Sequence, residues 1–533
     1  MKAAALTACC LLAAIPFARA QDSIDQLDMK AQKALEDSHY DEAIADFTRE
    51  LKLSPNNPTI LFNRGLAHEK NEETGAAIAD YTAAIALAPG DPDAYEHRAK
   101  IRADAAMDVF DQNAPGDYDD KEDWDKAIAD YCAAFEIRIK GEPDPKAWLE
   151  KKAAFGGEGY TYALTAAGWS EVIKLDPKDA NAWFNRALVD PFVGDDGREL
   201  TDYSEAIRLD PKNAKALAKR AAIYSVNPAT LDKALEDYTR LIAIAPDKNA
   251  YISRADVYTT LNQYDKALAD CAQAIRLGGE SGGYCQMETI HYLQHDWDKV
   301  FADYAKIIEL NPVSDNYHDR AALYYERQDW DHVIADMDSA AKADLSEARD
   351  QVANEKENGD DTATLKGDGI TSNTLLMRGD AFARKGLYDK ALADFHHAAK
   401  ADPDSWQAAD AEAWLLATCP DAKFRNGAKA LDLAMKTCLG AGWLDCGPVD
   451  TLAAAEAENG KWKEALDYEN QAIKTAQEYE QDTRDDDSLA PDEKQDSIDD
   501  DERRIKEYIA RLALYQNKQP CRDCKQLEWS TPE

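Results

Sequence analysis

Apolar positions in this chain come in short runs with helical spacing, and the runs repeat. Ala76, Ala77, Ile78, Tyr81, Ala84 and Ile85 recur at three- and four-residue intervals, which places them on one face of a helix. The phrase at its centre, Ala77-Ile78-Ala79-Asp80-Tyr81, has copies at Ala43-Ile44-Ala45-Asp46-Phe47, Ala127-Ile128-Ala129-Asp130-Tyr131 and Ala267-Leu268-Ala269-Asp270-Cys271. Its aspartate marks units at Asp46, Asp80, Asp130, Asp202, Asp237, Asp270, Asp303, Asp336 and Asp394, with further copies falling at Gly168, Asp432 and Tyr468. Most successive gaps are 33 to 35 residues. That period predicts stacked helix-turn-helix units, none able to bury its apolar face alone, and so an extended binding surface more than a single catalytic pocket.

Within each unit the small and bulky positions are as regular as the period. A first helix carries Leu61-x-x-x-Gly65, Tyr95-x-x-x-Ala99, Trp183-x-x-x-Ala187, Tyr251-x-x-x-Ala255 or Tyr317-x-x-x-Ala321. A second helix carries an alanine, then an aspartate followed by an aromatic. The unit closes on Pro55, Pro89, Pro177, Pro211, Pro246, Pro312 or Pro403. Small residues let antiparallel helices cross closely, bulky ones fill the adjacent gap, and proline stops the second helix. This order resembles the tetratricopeptide repeat over residues 29–480. The resemblance implies an all-α, right-handed superhelical solenoid of about twelve helix-turn-helix units. Counting the small residue of the first helix as position 8, the alanine falls at 20, the aspartate at 23, the aromatic at 24 and the proline at 32.

Departures from the pattern divide the chain. Residues 1–20 combine Lys2, an apolar stretch from Ala3 to Ile15, and Ala18-Arg19-Ala20, and are read as a secretory signal peptide cleaved after Ala20. That stretch is too short to span a bilayer. The expected organisation continues with a repeat array over 21–344 carrying an acidic insertion at about 104–123, and an acidic linker at 345–372. Further repeats at 373–479, an acidic disordered segment at 480–501, and a capping helix with a cysteine-containing tail at 502–533 complete it. Export to the periplasm or beyond the cell follows from the leader.

Charge narrows the partners. With 62 basic against 102 acidic residues the formal net charge is −40, which disfavours nucleic acid and anionic membranes and favours solubility or cationic partners. Beyond the leader stand Cys132, Cys271, Cys285, Cys419, Cys438, Cys446, Cys521 and Cys524. Their even number in an exported chain permits disulfides without fixing a pairing, while Cys132 and Cys271 fall at packing positions.

Positions 2, 5, 6 and 9 of the first helices line the concave groove in tetratricopeptide proteins. There Asn185, Lys215 and Lys219 resemble part of the carboxylate clamp with which some members hold a peptide C-terminus; the preceding unit lacks the rest of the clamp. Asp93, Glu96 and His97, and Asp315, His318 and Asp319, form acidic groove patches suited to a basic partner or simply to solvent. Position 7 repeats an arginine, at Arg64, Arg98, Arg186, Arg220, Arg254, Arg320 and Arg378, in step with the aspartate at 23, which predicts a ladder of ion pairs. His291 and His295, four residues apart with Cys285 nearby, suit a metal pair, but Tyr292 stands where a metalloprotease needs its glutamate. Cys521-x-x-Cys524 is half of a zinc site or a local disulfide.

No phosphate-cradling loop, nucleophile elbow or acid pair in a pocket emerges, and no cofactor is expected. The expected function is a non-catalytic scaffold or assembly factor that binds a protein or peptide in its groove. The alternative is a metal-handling protein or enzyme that uses the histidines and cysteines. Neither a partner nor an assembly state is named by the pattern.

Overall fold

The computed structural model describes residues 24–112, 121–154, 159–189, 196–358, 369–403, 405–486 and 491–522, and these residues contain helices and no strand. The chain divides into two compact units, Met1–Gln273 and Ala274–Glu533. The leader at 1–20 and Cys524 lie outside the described residues.

In the first unit α1 (24–36) and α2 (Tyr40–Leu53) are followed by α3 (Pro58–Lys70), α4 (Thr74–Leu87), α5 (Pro92–Gln112), α6 (Lys121–Arg138), α7 (Pro145–Ala153) and α8 (Gly159–Leu175). Then come α9 (Ala180–Ala187), α10 (Asp196–Leu209), α11 (Ala214–Val226), α12 (Leu231–Ile244), α13 (Lys248–Thr260) and α14 (Tyr264–Arg276), in which the division falls. The second unit continues with α15 (Glu280–Leu293), α16 (Trp297–Leu310), α17 (Ser314–Glu326), α18 (Trp330–Glu357), α19 (Ser372–Arg384) and α20 (Tyr388–Ala401). It closes with α21 (Trp406–Thr418), α22 (Gly427–Gly440), α23 (Cys446–Glu458), α24 (Trp462–Asp485) and α25 (Pro491–Gln516).

The two turns of a repeat use different chemistry. First helices open on side-chain caps: Asn57 accepts from the Thr59 amide, Asp179 from Asn181, Asn213 from Ala216 and Asp247 from Asn249. Second helices follow a single left-handed residue, at Ser38, Glu72, Asn262, His295, Gln328, Gly386 or Gly460, and most of them do without a side-chain cap. Each closing proline sits two residues beyond its helix, as with Leu87 before Pro89 and Ile244 before Pro246.

Packing follows the small-and-bulky rhythm. At position 20, Ala43, Ala77, Ala127, Ala234, Ala267, Val300, Val333 and Ala391 have no exposed surface. At position 24, Phe47, Tyr81, Tyr203 and Phe395 are fully buried. The crossings are tight: a Cβ added at Gly65 would lie 3.0 Å from the Tyr81 ring, and one at Gly379 would lie 2.6 Å from the Phe395 ring. A separate core closes the second unit, built from Trp414, Leu452, Cys446, Tyr508 and Tyr515.

The acidic segments depart from expectation. Helix α5 runs on to Gln112 and α18 to Glu357, while 480–485 complete α24 and 491–501 begin α25. Most of the stretch expected to be disordered is therefore helical, and the closing helix begins at Pro491 instead of residue 502. Ile498, Ile505 and Tyr508, all buried, recur at helical intervals among the acids and give α25 an apolar face. Arg484 adds ion pairs to Glu480 and Glu502 at 2.6 and 3.0 Å.

Candidate functional site

The ion-pair ladder forms, and its geometry is finer than the spacing implies. Arg64, Arg98, Arg186, Arg220, Arg254, Arg320 and Arg378 each present Nε and Nη2 to the two carboxylate oxygens of Asp80, Asp130, Asp202, Asp237, Asp270, Asp336 and Asp394, at 2.6–2.9 Å. These two-pronged contacts join the first and second helices of one repeat. Arg98 and Asp130 are 32 residues apart and still pair, so the insertion between α5 and α6 leaves their repeat intact.

Five of the arginines use Nη1 to reach the preceding repeat. Nη1 of Arg64, Arg98, Arg186, Arg220 and Arg254 donates to the hydroxyls of Thr48, Thr82, Ser170, Ser204 and Thr239 at 2.8–3.3 Å. Arg378 instead meets Asp338 at 2.8 Å. Each acceptor lies two residues after its repeat's marker, a regularity that sequence reasoning passed over although Thr48, Thr82, Ser170, Ser204 and Thr239 display it. Thus the most repeated charges are consumed by structure.

The groove positions fall into three groups. Asn185 is half-buried on α9, and Lys215 and Lys219 are exposed one turn apart on α11, the first helix of the next repeat. None of the three makes a hydrogen bond or ion pair among the described residues. By contrast, the acidic patch at Asp93, Glu96 and His97 is neutralised. Arg138 of α6 pairs with Asp93 at 2.6 Å and Glu96 at 2.5 Å, and His97 Nδ1 lies 2.8 Å from Glu69. Burial works to raise the Glu69 pKa, but hydrogen bonds from His97 and Tyr81 outweigh it and hold the carboxyl below its ordinary range.

The third group remains acidic. In the second unit Glu288 is half-buried on α15 and Asp319 is exposed on α17, with Asp315, also exposed, one turn away from it. Desolvation, then repulsion from Asp303 and Asp315 respectively, raises the pKa of both. His318 turns away from this face: its ring contacts the Ser314 carbonyl at 3.1 Å and Thr374 Oγ1 at 3.1 Å.

The histidine pair has two separate tasks. His291 is buried with Nδ1 2.6 Å from Asp303, filling in for the arginine that this repeat lacks at Met287. His295 is the left-handed turn residue, and its ring lies 5.9 Å from that of Trp297. Among the described residues no three His, Cys, Asp or Glu side chains converge in a metal-binding cluster. The cysteines divide likewise: Cys285 is exposed, Cys132 is half-buried, and Cys271, Cys419, Cys438, Cys446 and Cys521 are buried. Burial pushes the Cys132 and Cys438 thiols up to about 12, which removes the thiolate needed for nucleophilic or metal chemistry. Cys438 donates to the Pro448 carbonyl at 3.2 Å. No described helix is long and apolar enough to cross a membrane.

Comparison with known proteins agrees with the repeat chemistry. Family models described as tetratricopeptide repeat match residues 29–92 and 249–277. No curated protein matches the chain. Among solved structures, yeast Tom70 aligns at 15% identity over 93% of this chain and 97% of its own, with a TM-score of 0.29. YrrB, described as a tetratricopeptide protein with an unusual peptide-binding site, aligns at 17% identity over 46% of this chain and 96% of its own, with a TM-score of 0.25. A tetratricopeptide protein of Parabacteroides merdae aligns at 16% identity over 50% and 99%, with a TM-score of 0.22. Scores this low leave the assignment to the family models, the 33–35-residue period and the crossing chemistry. On those grounds this chain is built of tetratricopeptide repeats.

Proposed function

We propose that the chain is a non-catalytic interaction scaffold whose first unit receives an acidic peptide segment, or a peptide's terminal carboxylate, at Asn185, Lys215 and Lys219. The observation that carries this reading is an unpaired cation pair in a chain of net charge −40. Some nearby cations are drawn into contacts, as Lys146 is to Asp176 and Asp179 and Lys174 to Glu136 and Glu171, while Lys52, Lys70 and Lys400 make none among the described residues. What sets Lys215 and Lys219 apart is their spacing, one turn apart on α11. Two ammonium groups on successive turns of α11 and an amide on the first helix of the preceding repeat supply donors suited to a carboxylate. The acidic face of Glu288, Asp315 and Asp319 supports selection against acidic segments elsewhere on the chain.

Binding of a synthetic peptide with acidic residues and a free C-terminus tests the site. Lys215→Glu/Lys219→Glu is expected to weaken it by about tenfold or more, and raised salt to weaken the wild-type complex. Equal affinity for both proteins removes the site from the proposal. Export is proposed alongside: recovery from a bacterial periplasmic extract with Gln21 as the first residue supports it, and retention of Met1 in the cytoplasm refutes it.

A further inference from the structure

Among the described residues, the closing layer of the second unit contains more buried negative charge than Arg511 can balance. Asp450 on α23 and Glu469 on α24 have no exposed surface, and Arg511 of α25 is inserted beside them. Arg511 Nε donates to Asp450 Oδ1 at 2.9 Å and lies 3.8 Å from Glu469 Oε1. Among the described residues neither Glu469 oxygen accepts a hydrogen bond. Two carboxylates with one guanidinium leave a charge over, and a buried uncompensated charge is far costlier than a bound proton. Placed on Glu469, that proton cancels the excess and gives Asp450 a hydrogen-bond donor.

The surroundings hold the excess in place. Asp445, the N-cap of α23, and Cys446 at its start stand near Asp450, and Asp410 of α21 also acts on this region. From α25, Glu507 lies 3.7 Å from Arg511, and the Tyr508 hydroxyl donates to Cys446 Sγ at 3.6 Å. Tyr515, also on α25, and Cys521 beyond it face Glu469, and the buried Tyr515 hydroxyl has no hydrogen-bond partner among the described residues. Arg504, also on α25, faces Cys446 and, at 3.7 Å, Asp501. Burial first, then the Asp450 carboxylate, raises the Glu469 pKa well above the ordinary range.

We propose that Asp450, Glu469 and Arg511 form a proton-operated latch: α25 stays docked on α23 and α24 while the layer holds one proton, and loosens when that proton leaves. The sign follows from the direction of the shift. A carboxyl that binds its proton more tightly in the docked state favours docking most strongly below the ordinary Glu range. That support falls as pH rises and is gone once pH passes the raised value. Within the window the docking equilibrium changes by up to about tenfold per pH unit for one proton. Asp499, Asp500, Asp501 and Glu502 on α25 add repulsion from a chain of net charge −40 once the helix is free.

Hydrogen exchange of the full chain between pH 5.5 and 8.5, corrected for intrinsic rates, reads the latch directly. Protection of residues 498–515 is expected to fall with pH in the wild type. Glu469→Gln, which keeps a donor for Asp450 and cannot ionise, is expected to flatten that slope. Asp450→Asn gives a second route: Arg511 then pairs with an ionised Glu469, and the slope again flattens. Protection in α25 that does not depend on pH, or a slope that survives in both Glu469→Gln and Asp450→Asn, overturns the proposal.

Discussion

Six of the seven ladder arginines make three directed contacts from one planar group, and that is why lysine does not replace arginine at most repeats. Where Lys30 stands in the first repeat, it reaches only one oxygen of Asp46, at 2.6 Å, and Arg49 takes the other. Arg254→Ala leaves Asp270 almost fully buried and without its partner. It is expected to cost about 2–4 kcal/mol by chemical denaturation, the lower part of the range reflecting partial exposure of the guanidinium. Unchanged stability joined to a lost binding partner would make the arginines a ligand surface instead. The pairing was legible in the sequence because Arg and Asp recur in one rhythm. The third contact was not, because a serine or threonine on an exposed helix face is common and only the geometry gives it a donor. The same limit hid the role of His291, whose residue type suggests a ligand and whose place in the helix makes it an arginine substitute.

Helix crossings set a second kind of rule, in which the glycines are not equivalent. Gly379→Ala drives a methyl to 2.6 Å from the Phe395 ring and is expected to lower stability by about 1–3 kcal/mol. Gly75→Ala, on α4 with nothing within 4 Å of the added methyl, is expected to raise it by about 0.5 kcal/mol. Paired thermal melts of the two variants check the contrast, and matching losses would mean that the crossing is looser than described. Helix boundaries within repeats were legible from Pro55, Pro89 and Pro246. The acidic helices were not, since acids at high density mask a sparse apolar period. Ile498, Ile505 and Tyr508 carry that period in α25, and their effect depends on a partner face on α23 and α24 that no local window contains.

Across the whole molecule several buried acids share one direction of response to pH. Burial raises Asp410 to about 7, opposed by hydrogen bonds from Thr451 at 3.0 Å and Thr437 at 3.3 Å. It also raises Asp380 to about 6, opposed by Arg384 and by Tyr325, whose hydroxyl donates at 2.5 Å, and Glu50 to about 7, with Asp28 and Asp25 adding repulsion. All three pKa values lie above those of the unfolded chain. Their stabilising contribution is therefore complete below about pH 4, declines as pH rises, and is gone above about pH 7. Melting temperature is expected to fall between pH 5 and pH 8, and Asp410→Asn to make that fall shallower. An identical slope in the variant would remove Asp410 from the effect. The repeat architecture itself was legible because many copies stay in phase. The binding face was only partly so: Lys215 and Lys219 stood out by type, but the neutralisation of Asp93 and Glu96 by Arg138 required knowing that α6 lies alongside α5.

The arginine contacts also give the array a grain. Each third donor points back to the preceding repeat, so one copy carries both halves of the joint: a guanidinium for the copy before it and a hydroxyl for the copy after. A tandem duplicate of such a unit fits onto its parent with no new chemistry at the seam, which lets the chain lengthen by copying. Trimming exposes a hydroxyl at one cut and an arginine donor at the other, and water satisfies both. At Ala305 there is no hydroxyl, and among the described residues Arg320 holds only its own aspartate, Asp336. That junction is where the second unit should part most readily between neighbouring copies.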